Sequence, residues 1–335
     1  MKAVNFLGNS RIDICEAPRP EADESTVLLR VMATGLCGSE LHSFKGPAHE
    51  KEGFSNSGHE VAGVIEEAPD GSSFEPGMRV GARVVQGCGN CHWCKQGYET
   101  ACENKHMYAG NGHAEYYRLG IQGIHPIPDD AEWPAAVLLT GDGLGVPVRA
   151  ARRLGDTAGK KVLVLGLGPV GLSSVLVQAS RGAEVMGADL FEYRRNLAVE
   201  IGAARAADAS DFGELKQSVL DWTNGFGADI VILAVGRDEV FLNAIELVAR
   251  QGTVYQIGEL SELTLNPSSV FIKKEISITG SWYYTSSDWP EMLALHENGV
   301  PYHKLVTHVF PFEQAQEAFD TFVSGNSGKV VLTYQ

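Results

Sequence analysis

The sequence predicts an α/β protein in which a doubly wound parallel sheet is joined to a second, mainly-β domain. Three observations carry that expectation. From about residue 158 onward the chain alternates strand-like and helix-like segments, and such alternation builds a parallel sheet covered by helices. The first strand of that series, KKVLVLG, runs directly into a glycine-rich turn, GLGPVG. Residues 1 to about 150 instead read as short strands separated by turn formers.

In the first region TVLLRVMATG and HEVAGVIEEA are Val- and Ile-rich strands, and PDGSSFEPGMRVGARVV is dense in turn residues. In the second region KKVLVLG reads as a buried parallel strand by its unbroken apolar run. PVGLSSVLVQASRG follows as a helix closed by Gly182. AEVMGAD is a strand, FEYRRNLAVEIGA a helix, ADIVILAVG a strand, DEVFLNAIELVARQG a helix and GTVYQIG a strand. Beyond about residue 284 a helix, WPEMLALHENG, leads to FEQAQEAFDTFVSGNSGKVVLTY, which reads as a return to the first domain.

With 44% hydrophobic and 21% charged residues the composition is that of a globular protein, and 335 residues suffice for two cores. The formal net charge of −15 argues against a nucleic-acid or anionic-membrane partner, which would need clustered Lys and Arg. No uninterrupted apolar run follows Lys2, and no stretch approaches the roughly 18 apolar residues that cross a bilayer. The expected location is the cytoplasm, where thiols are reduced.

Four of the six cysteines, Cys88, Cys91, Cys94 and Cys102, fall in one loop with the spacing C-x2-C-x2-C-x7-C. Gly89, Asn90, Lys95, Gln96 and Gly97 between them allow a tight fold around one point. Four thiolates form a closed tetrahedral shell, the usual structural zinc site. A reducing compartment disfavours disulfides, and a redox pair needs only two thiols. Spacing alone leaves an iron–sulfur cluster open.

The turn after KKVLVLG contains Gly166, Gly168 and Gly171 in the pattern G-x-G-x-x-G, with Pro169 and Val170 opening the next helix. Strand before and helix after are the context that gives this motif meaning. Gly166 permits the tight turn, Gly168 the approach of a pyrophosphate and Gly171 close helix packing. The helix N-terminus offers free N–H groups and the positive end of its dipole. Asp189 ends the next strand, where a carboxylate accepts from ribose hydroxyls and repels a 2′-phosphate. This favours NAD over NADP, although Arg194 and Arg195 follow closely.

Cys37, in GLCGSELH, and His59, in SGHE, are further zinc-type donors in glycine-flanked turns. At this point the chain resembles a known family. GLCGSELHSFKG, GHEVAGVI, CGNCHWCKQGYETAC, GNGHAEYYRL, VLVLGLGPVGL and GKVVLTY occur in the order found in zinc-dependent medium-chain alcohol and polyol dehydrogenases. The resemblance spans essentially the full length. It implies a GroES-like catalytic domain (1–150 and 285–335) interrupted by a Rossmann dinucleotide-binding domain (151–284), a catalytic zinc in the cleft between them, and a dimeric or tetrameric homo-oligomer.

Residue by residue, the resemblance makes Cys37 and His59 the first two catalytic zinc ligands. Ser39 matches the hydroxyl that bonds the substrate oxygen, and His42 a position that relays its proton to solvent. Glu60 matches a carboxylate that enters the metal shell in some members. The third ligand falls on Asp142 in AVLLTGDGLGVPVRAA, between glycines at the approach to the Rossmann domain, and an ordinary turn carboxylate is the competing reading. The chain departs from the pattern before GHE, where a usual Pro is missing, at GMRV in place of GDRV, and at His113, where an aromatic is common.

The resulting expectation is an oxidoreductase with two zinc ions per chain that moves hydride between a secondary alcohol and NAD. The polar segment 48–57 and the aromatics Trp282, Tyr283 and Tyr284 suit a hydroxylated small molecule such as a polyol, sugar or cyclitol. Packing of those aromatics at a subunit contact is the competing reading. The alternatives are a zinc-free enone or quinone reductase of the same superfamily and a non-catalytic dinucleotide-binding protein of the same fold.

Overall fold

The computed structural model describes residues 1–48 and 53–334. The chain forms two compact units, one of Met1–Gly145 with Tyr283–Gln335 and the other of Val146–Trp282. Among the described residues no helix is long and apolar enough to cross a membrane.

The first unit is built on a seven-stranded sheet. Its strands run in the order Val306–Pro311, Lys329–Thr333, Thr26–Gly35, Glu60–Glu67, Arg79–Ala82 and Ile124–Pro126, with Tyr116–Gly120 also pairing to Thr26–Gly35. Every residue of Thr26–Gly35 is buried except Arg30 and Met32, as expected of a central strand covered on both faces. Helix Trp133–Thr140 is apolar all round, so it is buried rather than half-exposed. Ala136 and Val137 pack it on Ala33 and Ala62 of two neighbouring strands and Val331 of a third. The pairing register sets Gly35 opposite Glu60 and Thr34 opposite Val61. Cys37, just beyond one strand, and His59, just before the other, therefore emerge at the same end of the sheet.

The second unit carries a six-stranded parallel sheet in the order Arg205–Asp208, Glu184–Asp189, Lys161–Leu165, Ala228–Leu233, Val248–Gln256 and Ser277–Gly280. In chain order this is 3-2-1-4-5-6, the doubly wound arrangement whose ligand crevice lies at the carboxyl ends of strands 1 and 4. Leu163, Leu165, Val231, Leu233 and Val254 form its apolar centre. Helix Phe212–Trp222 is capped by Asp211, whose side chain accepts from Glu214 N–H at 2.9 Å.

The helix expected over DEVFLNAIELVARQG stops at Leu247. Val248 already belongs to the next strand, and Gln251 has φ +61°. The apolar pattern continues unbroken through Val248, so the sequence carries no stop signal before Gly252.

Candidate active site and metal centres

Two groups of side chains among the described residues could each hold a metal ion: Cys88, Cys91, Cys94 and Cys102, and Cys37, His59, Glu60 and Asp142. Within each group the ligand atoms all lie within 4.8 Å of one another.

The four-cysteine group is shaped by tight turns. Gly89 and Gly97 adopt φ +75° and +77°, and Cys91 opens the short helix His92–Lys95. Cys91 Sγ lies 3.5 Å from Cys94 Sγ, and Cys88 N–H donates to Cys102 Sγ at 3.4 Å. A Cβ on Gly87 would meet Cys94 Sγ at 2.3 Å, so the loop closes only around glycine there. N–H groups of Asn90 and Cys91 aimed at Cys88 bring its thiol down to about 6. Such a cradle favours thiolate, the form that binds metal.

The second group draws on three elements. Cys37 begins the 3-10 turn Gly38–Glu40, His59 immediately precedes strand Glu60–Glu67, and Glu60 begins that strand. Asp142 is not an ordinary turn carboxylate: it starts helix Asp142–Leu154 and is only 9% exposed. Its Oδ2 lies 3.4 Å from His59 Nε2 and 3.9 Å from Cys37 Sγ. His59 Nδ1 lies 2.8 Å from the Ser57 carbonyl, a contact that requires Nδ1–H and makes Nε2 the nitrogen that faces Asp142, able to give up its proton to a metal. Burial opposes a charge on His59, yet Asp142 raises its pKa well above the usual imidazole value. The same contact, against burial, holds the Asp142 carboxyl below the ordinary range.

Glu60 is held by Lys329. Nζ of Lys329 contacts both Glu60 oxygens and donates to the Leu36 carbonyl at 3.0 Å, and both side chains are 1% exposed. Burial pushes the Glu60 carboxyl upward, partly offset by Lys329, whereas Lys329 is held charged by Glu60 against its own burial. The first direction favours a neutral acid and the second a carboxylate. Contact of both oxygens with one ammonium decides for the ion pair. A Cβ at Gly35 would meet Glu60 Oε2 and Val137, so this glycine makes room for the pair.

The cluster fits a divalent cation. Asp142 and Glu60 set two carboxylates against one ammonium, and Asp142 Oδ1 is buried without a hydrogen-bond partner. Thiol, imidazole and carboxylate are the donors zinc takes.

Ser39 is exposed beside Cys37, its Oγ 3.4 Å from Sγ. His42 is exposed on the following helix, Leu41–Lys45. Two buried groups near these loops had no sequence signal as site residues. Lys329 reads as a solvated lysine at a strand start, and Glu40 as a surface acid. Glu40 is fully buried, its Oε2 2.7 Å from His113 Nε2 and its Oε1 accepting from Cys37 N–H at 2.8 Å. Against the cost of burial, His113 holds the Glu40 carboxyl low.

Tyr283 and Tyr284 are buried within the first unit, at 9% and 0% exposure. Their rings lie 4.6 Å apart, Tyr283 Oη accepts from Val84 N–H, and Tyr284 Oη donates to the Thr140 carbonyl. They are buried and hydrogen-bonded inside this unit, which corrects the reading of them as exposed aromatic faces and as a subunit contact. Trp282 is 42% exposed. Residues 49–52 of the polar segment 48–57 lie outside the described residues.

In the parallel-sheet unit, Gly166 has φ +85°, and a Cβ there would meet Val235 at 2.1 Å. A Cβ on Gly171 would meet the Gly166 carbonyl oxygen at 1.8 Å. Around Gly168 nothing lies within 4 Å, so the backbone there is open to a ligand. Pro169 and Val170 form the first turn of helix Pro169–Ser180. Asp189 Oδ2 accepts from Leu167 N–H at 2.6 Å and Oδ1 from Phe191 N–H at 2.9 Å. Each oxygen keeps a further lone pair. Arg194 stands 4.0 Å from Asp189 and over the Phe191 ring, while Arg195 bonds the Asp189 carbonyl and Asp208.

Known proteins share this fold. Residues 23–129 match the alcohol dehydrogenase GroES-like domain, and residues 169–298 the zinc-binding dehydrogenase domain. The chain is 31% identical to the zinc-type alcohol dehydrogenase-like protein YphC of Escherichia coli K12, over all of this chain and 99% of that protein. It is 29% identical to a sorbitol dehydrogenase of Halalkalibacterium halodurans, covering 97% and 96% of the two chains. An alcohol dehydrogenase of Escherichia coli CFT073, solved in complex with NADH, superposes with a TM-score of 0.88 at 25% identity, over 100% of this chain and 99% of that one. The chain belongs to the zinc-dependent medium-chain alcohol dehydrogenase family.

Proposed function

We propose that this protein is an NAD-dependent, zinc-dependent dehydrogenase of a small secondary alcohol, with a polyol, sugar or cyclitol as substrate. The observation that carries the reading is the convergence of Cys37, His59 and Asp142 beside the exposed hydroxyl of Ser39. Zinc, when bound, supplies a Lewis acid that acidifies an alcohol hydroxyl, and NAD supplies the hydride acceptor.

The chain's own residues do the rest. Cys37, His59 and Asp142 would hold the zinc where a substrate hydroxyl could reach it, while Lys329 keeps Glu60 on its own side of the cluster. Ser39 Oγ accepts the hydroxyl proton as it releases its own, and His42, exposed on the next helix, relays the released proton to solvent. Gly166, Gly168, Pro169, Val170 and Gly171 bind the pyrophosphate of NAD. Asp189 accepts from the adenosine ribose hydroxyls and disfavours a 2′-phosphate, with Arg194 beside it. Cys88, Cys91, Cys94 and Cys102 would hold a second zinc whose role is to support the loop rather than to do chemistry.

The test is zinc stoichiometry together with NAD reduction across a panel of polyols, sugars, cyclitols and hydroxy-amino acids. Two zincs per chain and NAD-linked oxidation of a hydroxyl-rich member are the expected result. Activity that survives removal of the accessible zinc overturns the reading.

A further inference from the structure

His113 occupies a position that neither metal binding nor hydride transfer accounts for. It is completely buried, at 0% exposure, and packs edge-on against Phe319 at 5.9 Å between ring centres. Its polar atoms reach both ligand-bearing loops. Nε2 lies 2.7 Å from Glu40 Oε2, and Glu40 Oε1 accepts from the backbone N–H of Cys37 at 2.8 Å. One imidazole thus holds, through one carboxylate, the turn that presents the Cys37 thiol.

The other side of His113 is tied to the His59 loop. Its own N–H and that of Gly58 donate to the same Asn56 Oδ1, at 3.2 and 3.1 Å. Gly112 N–H donates to the Gly58 carbonyl at 3.0 Å, and Asn111 N–H to the Asn56 carbonyl at 2.8 Å. A Cβ on Gly58 would meet His113 Cδ2 at 2.6 Å, so the imidazole lies directly on the residue before His59. The ring is fixed from behind by Thr34, whose Oγ1 lies 2.8 Å from Nδ1. Thr34 sits on the central strand that leads into Cys37.

We infer that His113 is a positioning residue for the metal centre, locking the Cys37 turn to the His59 loop through Glu40 and Asn56. This rests on the reading of Cys37, His59 and Asp142 as zinc ligands. An aromatic side chain in its place could fill the same volume but could not satisfy the buried carboxylate of Glu40.

Two substitutions separate the polar contacts of the ring. In His113→Gln the amide reaches the position of Nε2 and keeps the Glu40 contact. In His113→Asn the amide reaches only the position of Nδ1, keeping Thr34 and losing Glu40. Zinc affinity at the chelator-accessible site is measured by competition with a chelator. The visible spectrum is recorded after cobalt replaces that zinc, in both variants, in the wild type and in Cys37→Ser.

His113→Asn is expected to bind the accessible metal about ten- to a hundredfold more weakly, the usual range for a lost outer-shell partner, and to shift the cobalt bands. His113→Gln is expected to stay within about threefold of the wild type, and the four-cysteine zinc to remain in both. If His113→Asn does not fold, Glu40→Met cuts the same link from the other side and carries the same expectation. Wild-type affinity and spectrum in His113→Asn or, where that does not fold, in Glu40→Met overturn the positioning role and leave the zinc reading intact. Equal losses in His113→Asn and His113→Gln that track their melting temperatures also overturn it, because His113 then acts through stability alone. If wild-type protein shows no thiolate–cobalt absorption that Cys37→Ser removes, the zinc reading itself fails, and the positioning role with it.

Discussion

Lys329 holds Glu60 through both carboxylate oxygens in a site where each side chain is only 1% exposed. Such a pair gives little net stability, because both ions are desolvated to make it, but breaking it from one side leaves a charge stranded. Lys329→Met is therefore expected to cost about 3–5 kcal/mol in chelator-treated protein, as measured by urea unfolding. Added zinc should reduce that cost by offsetting the freed carboxylate. A loss below about 1 kcal/mol without metal would show that Glu60 does not depend on this ammonium.

Asp142 contributes a buried oxygen with no hydrogen-bond partner and another 3.4 Å from His59. Asp142→Asn keeps the shape and removes the charge. Activity is expected to fall at least about 100-fold, more than a lost outer-shell partner costs, while the four-cysteine zinc and the fold persist. Metal content and kcat measured on one preparation check this. Full activity with two zincs retained excludes Asp142 from the metal shell.

Asp189 does two jobs in the glycine-rich turn. It braces Leu167 N–H and Phe191 N–H, and in the proposed function it also repels a 2′-phosphate. Asp189→Ala should raise the NADP/NAD ratio of kcat/KM by about tenfold, equivalent to ~1.4 kcal/mol. It should also lower kcat/KM for NAD itself, since the turn loses two acceptors. An unchanged ratio counts against the repulsive role.

His125 gives a pH-dependent term in stability. It is stacked on Trp289 at 4.5 Å, its Nε2 has no hydrogen-bond partner, and burial, with Arg83 nearby, lowers its pKa to about 3. The unfolded chain protonates this imidazole near 6.5 and the folded chain does not. The stability that comes from keeping it neutral is fully present above pH 6.5 and is lost as pH falls toward 3. Relative to His125→Phe, which keeps the ring stack, the wild type should lose about 2 kcal/mol between pH 7 and pH 5. Parallel pH profiles for the two proteins would refute the assignment.

How far the sequence reached depends on the range of each interaction. The parallel sheet was legible because KVLVL, AEVMGAD and ADIVIL are local apolar runs, and because glycine spacing shows its purpose within six residues. The members of the second metal group were legible singly, as donor types in glycine-flanked turns. Their meeting rests on the register that sets Gly35 opposite Glu60, which no short window contains. Lys329 with Glu60 and His113 with Glu40 were invisible for the same reason: each joins residues far apart in the chain, and neither partner has a local mark of burial. Tyr283 and Tyr284 misled because a Tyr-Tyr pair looks alike whether it lines a surface or fills a core. The strand Arg205–Asp208 escaped notice because RAAD has neither alternation nor β-branched residues.

The Lys329–Glu60 pair also sets an order of events during synthesis. Its partners are 269 positions apart, and at about 5–20 residues per second the ribosome delivers Lys329 roughly 13–54 s after Glu60. Through that interval the edge of Thr26–Gly35 that later receives Lys329–Thr333 is unpaired, and Glu60 has no counter-ion. The inserted unit, Val146–Trp282, emerges whole within the same interval and draws its sheet from its own strands. The nascent chain therefore has its parallel-sheet unit ready to fold while the first unit is still waiting for its last strand.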